Sequence, residues 1–325
     1  MTTLRFTQHA QVGMHINSSE SLVLFVMSVR RDAAVGLAIE DLSLSLPTDL
    51  EYPVDAVRQC LRLTPNVETL ILDLPSSSPV SILCGLTLPK IQLLSTNLPH
   101  QCLVSFLASH RSLRSLVLRF CGNGSNCPLR HVDLAHVTEL QCPSRCLSGI
   151  ARGRVSRATV NLTRLASNAV LAVRALSTSP LYSLSLDFYA TDYDMLLRVA
   201  AAAPNLRKLK LVEKFRPQRR GHQSRRPWND MISWHQALLR LSFLEEFALR
   251  SLVRVFTSRR PDVQVISGWA NGTTRRSAPH PTLYHVAILQ PCTRGDTRQL
   301  TEWFKGSSKG AWERVVNAVG PDVQL

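Results

Sequence analysis

One short motif, apolar-x-x-apolar-x-apolar, returns ten times along the 325-residue chain at a nearly constant interval. Few folds accommodate such a rhythm. The middle apolar positions are Leu42, Leu70, Leu94, Leu116, Leu140, Val160, Leu184, Leu209, Phe247 and Val286. The motif also calls for an apolar residue three before and two after each of these. Of these 30 positions 28 are apolar, Arg157 and Thr96 being the exceptions, whereas a chain that is 45% hydrophobic supplies about 14 by chance. Successive middle positions are separated by 28, 24, 22, 24, 20, 24, 25, 38 and 39 residues. The two long intervals each contain a polar stretch of 14 residues, Lys214–Pro227 and Gly268–Pro281. Removing these stretches restores intervals of 24 and 25, so both read as loops inserted into one repeating unit.

Within a unit the apolar period changes from helical to extended, as in Tyr193–Ala203 followed by Leu206–Val212. Similar helical stretches at Val54–Leu63, Cys102–His110, Leu165–Leu176 and Ile232–Leu241 precede other strands. Proline at 65, 89, 180, 204 and 281 closes the helix side, where its fixed φ and missing N–H admit extended backbone. Strands joined through helices run parallel. The expected fold is therefore α/β: a leucine-rich-repeat-like solenoid with a parallel sheet on one face and helices on the other. Residues 1–19 are expected to be a flexible N-terminus and 20–290 the solenoid, with Glu20–Val35 as its first helix. Residues 291–325 are expected to be a helical cap, using Trp303, Phe304, Trp312, Val315, Val316 and Val319 to cover the last repeat.

The charge is unevenly placed. Of a net +15, the stretch Pro204–Arg276 carries 16 basic and 5 acidic residues, or +11. Lys214, Arg216, Arg219, Arg220, Arg225 and Arg226 fall in the first insert with no acidic residue among them. A solvated loop, a nuclear-localisation-like signal and an electrostatic contact to an acidic protein all fit that pattern. Nucleic-acid binding through the 204–276 region is the alternative, with Trp228 and Trp234 able to stack on bases or to anchor the loop.

Segments such as PNVETLILDL, PLYSLSLDF and PNLRKLKLV resemble the repeats of F-box/leucine-rich-repeat proteins, especially the divergent ones of fungi. The resemblance covers Ile39 to Gln290. It implies a protein-interaction scaffold, in its fuller form the substrate-recognition part of an F-box-type ubiquitin ligase receptor that binds a Skp-family adaptor. Two features depart from the family. The regular Asn ladder three residues beyond the third apolar position is replaced by residues such as Pro47, Pro75, Tyr189 and Leu252, so other groups must satisfy the turns. The stretch Leu46–Leu50 imitates the start of an F-box, but Pro53 follows where a helix should run.

Catalytic motifs are weak. Gly306-Ser307-Ser308-Lys309-Gly310 spells a nucleophile elbow, but no histidine follows it and the chain is expected not to be an enzyme. Cys121, Cys127, Cys142 and Cys146, with His131 and His136, are read as buried packing and not as a metal site, because their spacing is not that of a zinc knuckle and Cys142 occupies a core position. No cofactor is expected. Eight scattered cysteines suit a reducing compartment, cytoplasmic or nuclear. The apolar run Leu22–Val29 is too short for a bilayer, so no membrane partner is expected.

Overall fold

A computed structural model describes residues 3–6, 12–46, 52–75, 77–122, 126–151, 154–162, 169–215, 226–256, 261–274, 276–292, 298–306 and 311–319. The protein is α/β and divides into two compact units, Met1–Val155 and Ser156–Leu325.

The first unit holds strands β1 (Thr3–Phe6), β2 (Val12–Ile16), β3 (Ile39–Ser45), β4 (Thr69–Asp73), β5 (Leu93–Thr96), β6 (Ser115–Leu118) and β7 (Glu139–Pro143). Strands β2 to β7 are parallel, each beside its neighbour in sequence, and β1 is antiparallel to β2. The middle apolar residues meet in register, Leu42 with Leu70, Leu94, Leu116 and Leu140 in turn, and all five are buried. Thr96 is tolerated in the core because its hydroxyl accepts the Leu98 N–H at 3.0 Å. The helical side begins with α1 (Ser19–Arg31), which buries Leu22, Phe25, Val26 and Val29 at helical spacing. Ser18 caps it by accepting the Ser21 N–H at 3.1 Å. Asp32 then ends α1 and caps α2 (Ala33–Leu37). Helix α3 (Val54–Leu63) lies where the sequence places it; α4 (Val104–Ser109) and α5 (Leu147–Ile150) are much shorter.

The expectation of a flexible N-terminus is corrected at Val12–Ile16: β2 joins the sheet, with Met14 and Ile16 buried opposite Leu42 and Leu44. Met14 and Ile16 follow the period of two that makes a half-buried strand, in a stretch too short to carry the 24-residue repeat.

The second unit holds β8 (Arg157–Asn161), β9 (Ser183–Tyr189), β10 (Lys208–Lys214), β11 (Glu246–Arg250), β12 (His285–Pro291), β13 (Arg298–Lys305) and β14 (Trp312–Val319). Strands β8 to β12 are parallel in sequence order, connected through α6 (Ala169–Ala175), α7 (Met195–Ala202), α8 (Met231–Leu239) and α9 (Asp262–Asn271). Leu184, Leu209, Phe247 and Val286 meet in register as expected. On β8 the register is corrected by two residues. Ala158 pairs with Leu184 and Val160 with Leu186, so the unit reads Val155, Ala158, Val160. Arg157, an exception to the apolar rule in the sequence, is exposed. Alanine at the middle position carries a weaker apolar signal than Val160 two residues on, so the sequence pattern alone favours Val160.

The expected helical cap is also corrected: β13 and β14 are antiparallel strands that extend the sheet of this unit. Trp303 and Thr301 face inward opposite Val286 and Ile288, and the Trp303 ring meets Phe256 edge-on at 5.1 Å. The alternation of Thr301 and Trp303, with a Val-rich partner strand, is the period of a strand. The second insert is corrected as well. Gly268–Asn271 is the last turn of α9, Trp269 and His280 are buried, and Trp269 packs at 5.8 and 6.0 Å from Trp234 and Phe247. The extra length of this repeat is divided between the connections on either side of α9.

Side chains near the strand ends bind the backbone of the neighbouring connections. Asn97 accepts the Leu74 N–H at 3.0 Å and donates to the Leu74 carbonyl at 2.8 Å. Asp187 accepts the Leu162 N–H at 3.0 Å, Glu213 the Leu252 N–H at 2.7 Å and Gln290 the Val255 N–H at 2.8 Å. Each bond joins adjacent repeats at the same end of the strands, so buried turn amides are satisfied without a common residue type.

Two buried histidines complete the turns. His110 accepts the Leu88 N–H on Nε2 at 2.9 Å and donates from Nδ1 to the Phe106 carbonyl at 2.6 Å; His280 accepts the Leu283 N–H on Nδ1 at 3.1 Å and faces the Leu238 carbonyl with Nε2 at 3.0 Å. Both rings must be neutral to accept, and burial lowers both pKa values below the ordinary 6.5. The unfolded chain therefore binds more protons below that value, and stability present at neutral pH is lost as pH falls through it. Thermal melts between about pH 7 and pH 5 should show a falling Tm whose slope flattens in His110→Asn and His280→Asn. An unchanged slope in both variants would remove the neutral-ring assignment.

Candidate functional site

On β9, β10 and β11 residues between the core positions are part-exposed, and with their neighbours on β12 and β13 they form a polar array in the second unit. Lys208 Nζ lies 2.8 Å from Glu246 Oε1, which also accepts the Tyr284 hydroxyl at 3.1 Å. His285 Nε2 lies 3.1 Å from Glu302 Oε1, and its ring stacks on Phe304 at 4.6 Å. Burial raises the Glu246 carboxyl, but bonds from Lys208 and Tyr284 outweigh it, so the group stays more acidic than usual.

Nearer the other end of the strands the balance turns positive. Lys210 on β10, Arg250 on β11 and Arg298 on β13 lie on this side with Lys214, and Asp187 is the carboxylate facing them. Burial lowers the Lys210 pKa, and the charge of Arg250 lowers it further; burial and Arg298 do the same to Arg250. Asp187 is pushed up by burial in spite of the Leu162 amide and the Lys214 ammonium 3.3 Å away. Cations that repel one another around a single carboxylate form a surface that an incoming carboxylate relieves.

The basic insert enters at this edge. Lys214 is the last residue of β10 and pairs with Asp187; Arg226 pairs with the buried Glu213 at 3.0 Å. Pro227 and Trp228 are buried, Trp228 meeting Phe188 edge-on at 6.1 Å, and Trp234 is buried too. Both tryptophans are anchors and present no open ring to a base. The polar excursion is thereby shortened at both ends, and Lys214 and Arg226 are its fastened ends. Arg216, Arg219, Arg220 and Arg225 lie outside the described residues. So do 307–310 of the serine motif and 47–50 of the F-box-like stretch. Residues 301–305, expected to be helical, belong to β13, but the motif still lacks a downstream histidine.

A second cluster lies in the first unit. His100, Cys121, Cys127 and Cys146 place one donor atom each within 4.8 Å of one another. His100 Nδ1 is 3.1 Å from Cys127 Sγ. His100 and Cys146 are fully buried, Cys121 is 7% exposed, and all the cysteines are free. Hydrogen bonding with Cys127 and Cys146 draws the Cys121 thiol far below the thiol range, while the Cys121 partner pushes Cys127 up to about 11 and Cys146 further up. By contrast, burial alone pushes the Cys60 thiol up to about 12. The packing assignment thus describes Cys142, fully buried on β7, whereas its three companions converge with His100 instead of His131 or His136.

The signal for His100 was present in the repeat register. Counted from the third apolar position of their units, His100 is four residues after Thr96, Cys121 three after Leu118, and Cys146 four after Cys142. Turns that follow adjacent parallel strands are neighbours in space, so these residues meet although 46 positions separate the outermost pair.

The chain matches no model of a known protein family and no curated protein sequence. No helix among the described residues is long and apolar enough to cross a membrane.

Proposed function

We propose that the chain is a leucine-rich-repeat-like interaction scaffold that binds an acidic protein segment on the outward strand face of its second unit. The observation that supports this most is the separation of roles along β9 to β11: Leu184, Leu186, Leu209, Leu211, Phe247 and Leu249 are sealed in the core, and Ser185, Lys208, Lys210, Glu246 and Arg250 between them form a polar face with a cationic end at Lys210, Arg250 and Arg298. Parallel strands repeated in register present such a face without needing a cavity.

The test is calorimetric titration of the full chain with a glutamate-rich peptide and, separately, with an oligonucleotide of equal charge. The peptide should bind, and Lys210→Glu with Arg250→Glu should weaken it by about tenfold or more while the melting temperature moves little. Replacing residues 216–225 with a Gly/Ser linker should weaken binding less and flatten its salt dependence. A tighter oligonucleotide complex with a steeper salt slope would favour the nucleic-acid reading, and binding of neither ligand would remove the acidic-partner reading. A ubiquitin-ligase receptor is a narrower version of the same reading. It requires co-elution with a purified Skp-family adaptor, and separate elution would leave the general scaffold.

A further inference from the structure

We propose that His100, Cys121, Cys127 and Cys146 form a structural zinc site that ties together three successive connections of the first unit. The donors come from the 3-10 turn His100–Cys102 after β5, the segment after β6 together with the start of the 3-10 turn Pro128–His131, and the 3-10 turn Ser144–Cys146 after β7. In a tetrahedral site with Zn–S near 2.3 Å and Zn–N near 2.0 Å, neighbouring donors sit roughly 3.5–3.8 Å apart. The four donors here already lie within 4.8 Å, and the His100–Cys127 pair within 3.1 Å. Closing the widest pair by about 1 Å and opening the His100–Cys127 pair by roughly 0.4 Å completes the sphere.

The chemistry of the set selects the ion. Three thiolates and an imidazole are soft and borderline donors that suit zinc and reject magnesium or calcium. Four protein donors fill a tetrahedron, with no position for a reacting water, so the site is structural and not catalytic. Three thiolates on a divalent ion leave one net negative charge. Arg145, beside the ligand Cys146, donates to the Gly122 carbonyl next to the ligand Cys121 and brings a positive charge across that gap. Gly122 has φ +85°, the left-handed conformation that turns the chain directly after Cys121.

The location suggests what the ion does. Around β2 to β4 the helical layer contains α1 and α3, of 13 and 10 residues. From β5 to β7 it is reduced to α4 and α5, of six and four residues, and short 3-10 turns. Helices this short have little stability of their own. A metal bridging three turns replaces the missing helix packing, and its binding free energy becomes folding free energy.

The test counts metal in the full chain, produced with zinc in the medium and purified under reducing conditions without chelator. Mass spectrometry should find about one zinc per chain, falling at least about tenfold in Cys121→Ser with Cys146→Ser and staying in Cys84→Ser and in Cys142→Ala. Because loss of the ligands can unfold this unit, the unsubstituted protein supplies a second reading. Exchange of zinc for cobalt should give the visible absorption of tetrahedral, thiolate-bound Co(II), and a chelator should lower the melting temperature. Zinc-free protein that develops no such absorption with cobalt would overturn the site, as would zinc retained by the double ligand variant or a disulfide joining two of the three cysteines.

Discussion

Leu184→Asp and Leu209→Asp should each destabilise the protein by on the order of 4 kcal/mol or more, while Ser185→Asp changes stability by about 0.5 kcal/mol or less. Leu184 and Leu209 face each other across β9 and β10 at 1% and 2% exposure, so a carboxylate at either position loses its water and gains no partner. Ser185 is one residue away and points outward, in register with Lys210, where an added carboxylate meets a cation. The total stability of a domain is about 5–15 kcal/mol, so the first two variants should be largely unfolded or melt far below wild type. Denaturant titration of all three checks this. Equal losses would mean that the strand faces are assigned the wrong way round.

Trp269→Ala should cost about 3–5 kcal/mol, the range for removing a large buried aromatic. Trp269 is fully buried, its indole stands at 5.8 Å from Trp234 and 6.0 Å from Phe247, and its N–H points to the Trp228 carbonyl at 3.4 Å. Truncation removes the centre of the packing between α8, α9 and β11. The same experiment separates two readings of Gly268–Pro281. As a surface insert it would tolerate the change within a few tenths of a kcal/mol, and as the end of α9 it cannot. Thermal melts of Trp269→Ala beside Val263→Ala, which lies on the exposed side of the same helix, make the comparison within one element.

Strand order and most of the register were legible because burial on alternate residues leaves a period that survives any choice of turn. Leu42, Leu70, Leu94 and Leu116 align in the sequence as they align in space. The errors have identifiable causes. At β8 the small core residue Ala158 gives a weaker hydrophobic signal than Val160 beside it. At Gly268–Pro281 polar letters such as Asn271, Arg275 and Arg276 outweighed Trp269 and His280, which the structure buries. In the tail, Trp303 and Thr301 alternate as a strand, but three to five apolar letters in a short segment fit either period. The site was legible in part. Charge in the sequence pointed to the edge bearing Lys214 and Arg226, yet both are held in ion pairs, and Lys210, Arg250 and Arg298 come together only through the sheet. Local spacing rules missed the histidine of the cysteine cluster because its ligands are gathered by stacking and not by a short motif.

The central claim is that successive repeats stack as parallel strands in one fixed register. Cross-strand NOEs in the uniformly 13C,15N-labelled, fully protonated protein test it most directly. The account predicts contacts between backbone amides and Hα atoms linking Leu184 with Leu209, Leu209 with Phe247, and Phe247 with Val286, in the slanted pattern of parallel pairs. Contacts displaced by one residue along either strand, or the closely spaced Hα–Hα contacts of antiparallel pairing between β9 and β10, would contradict it.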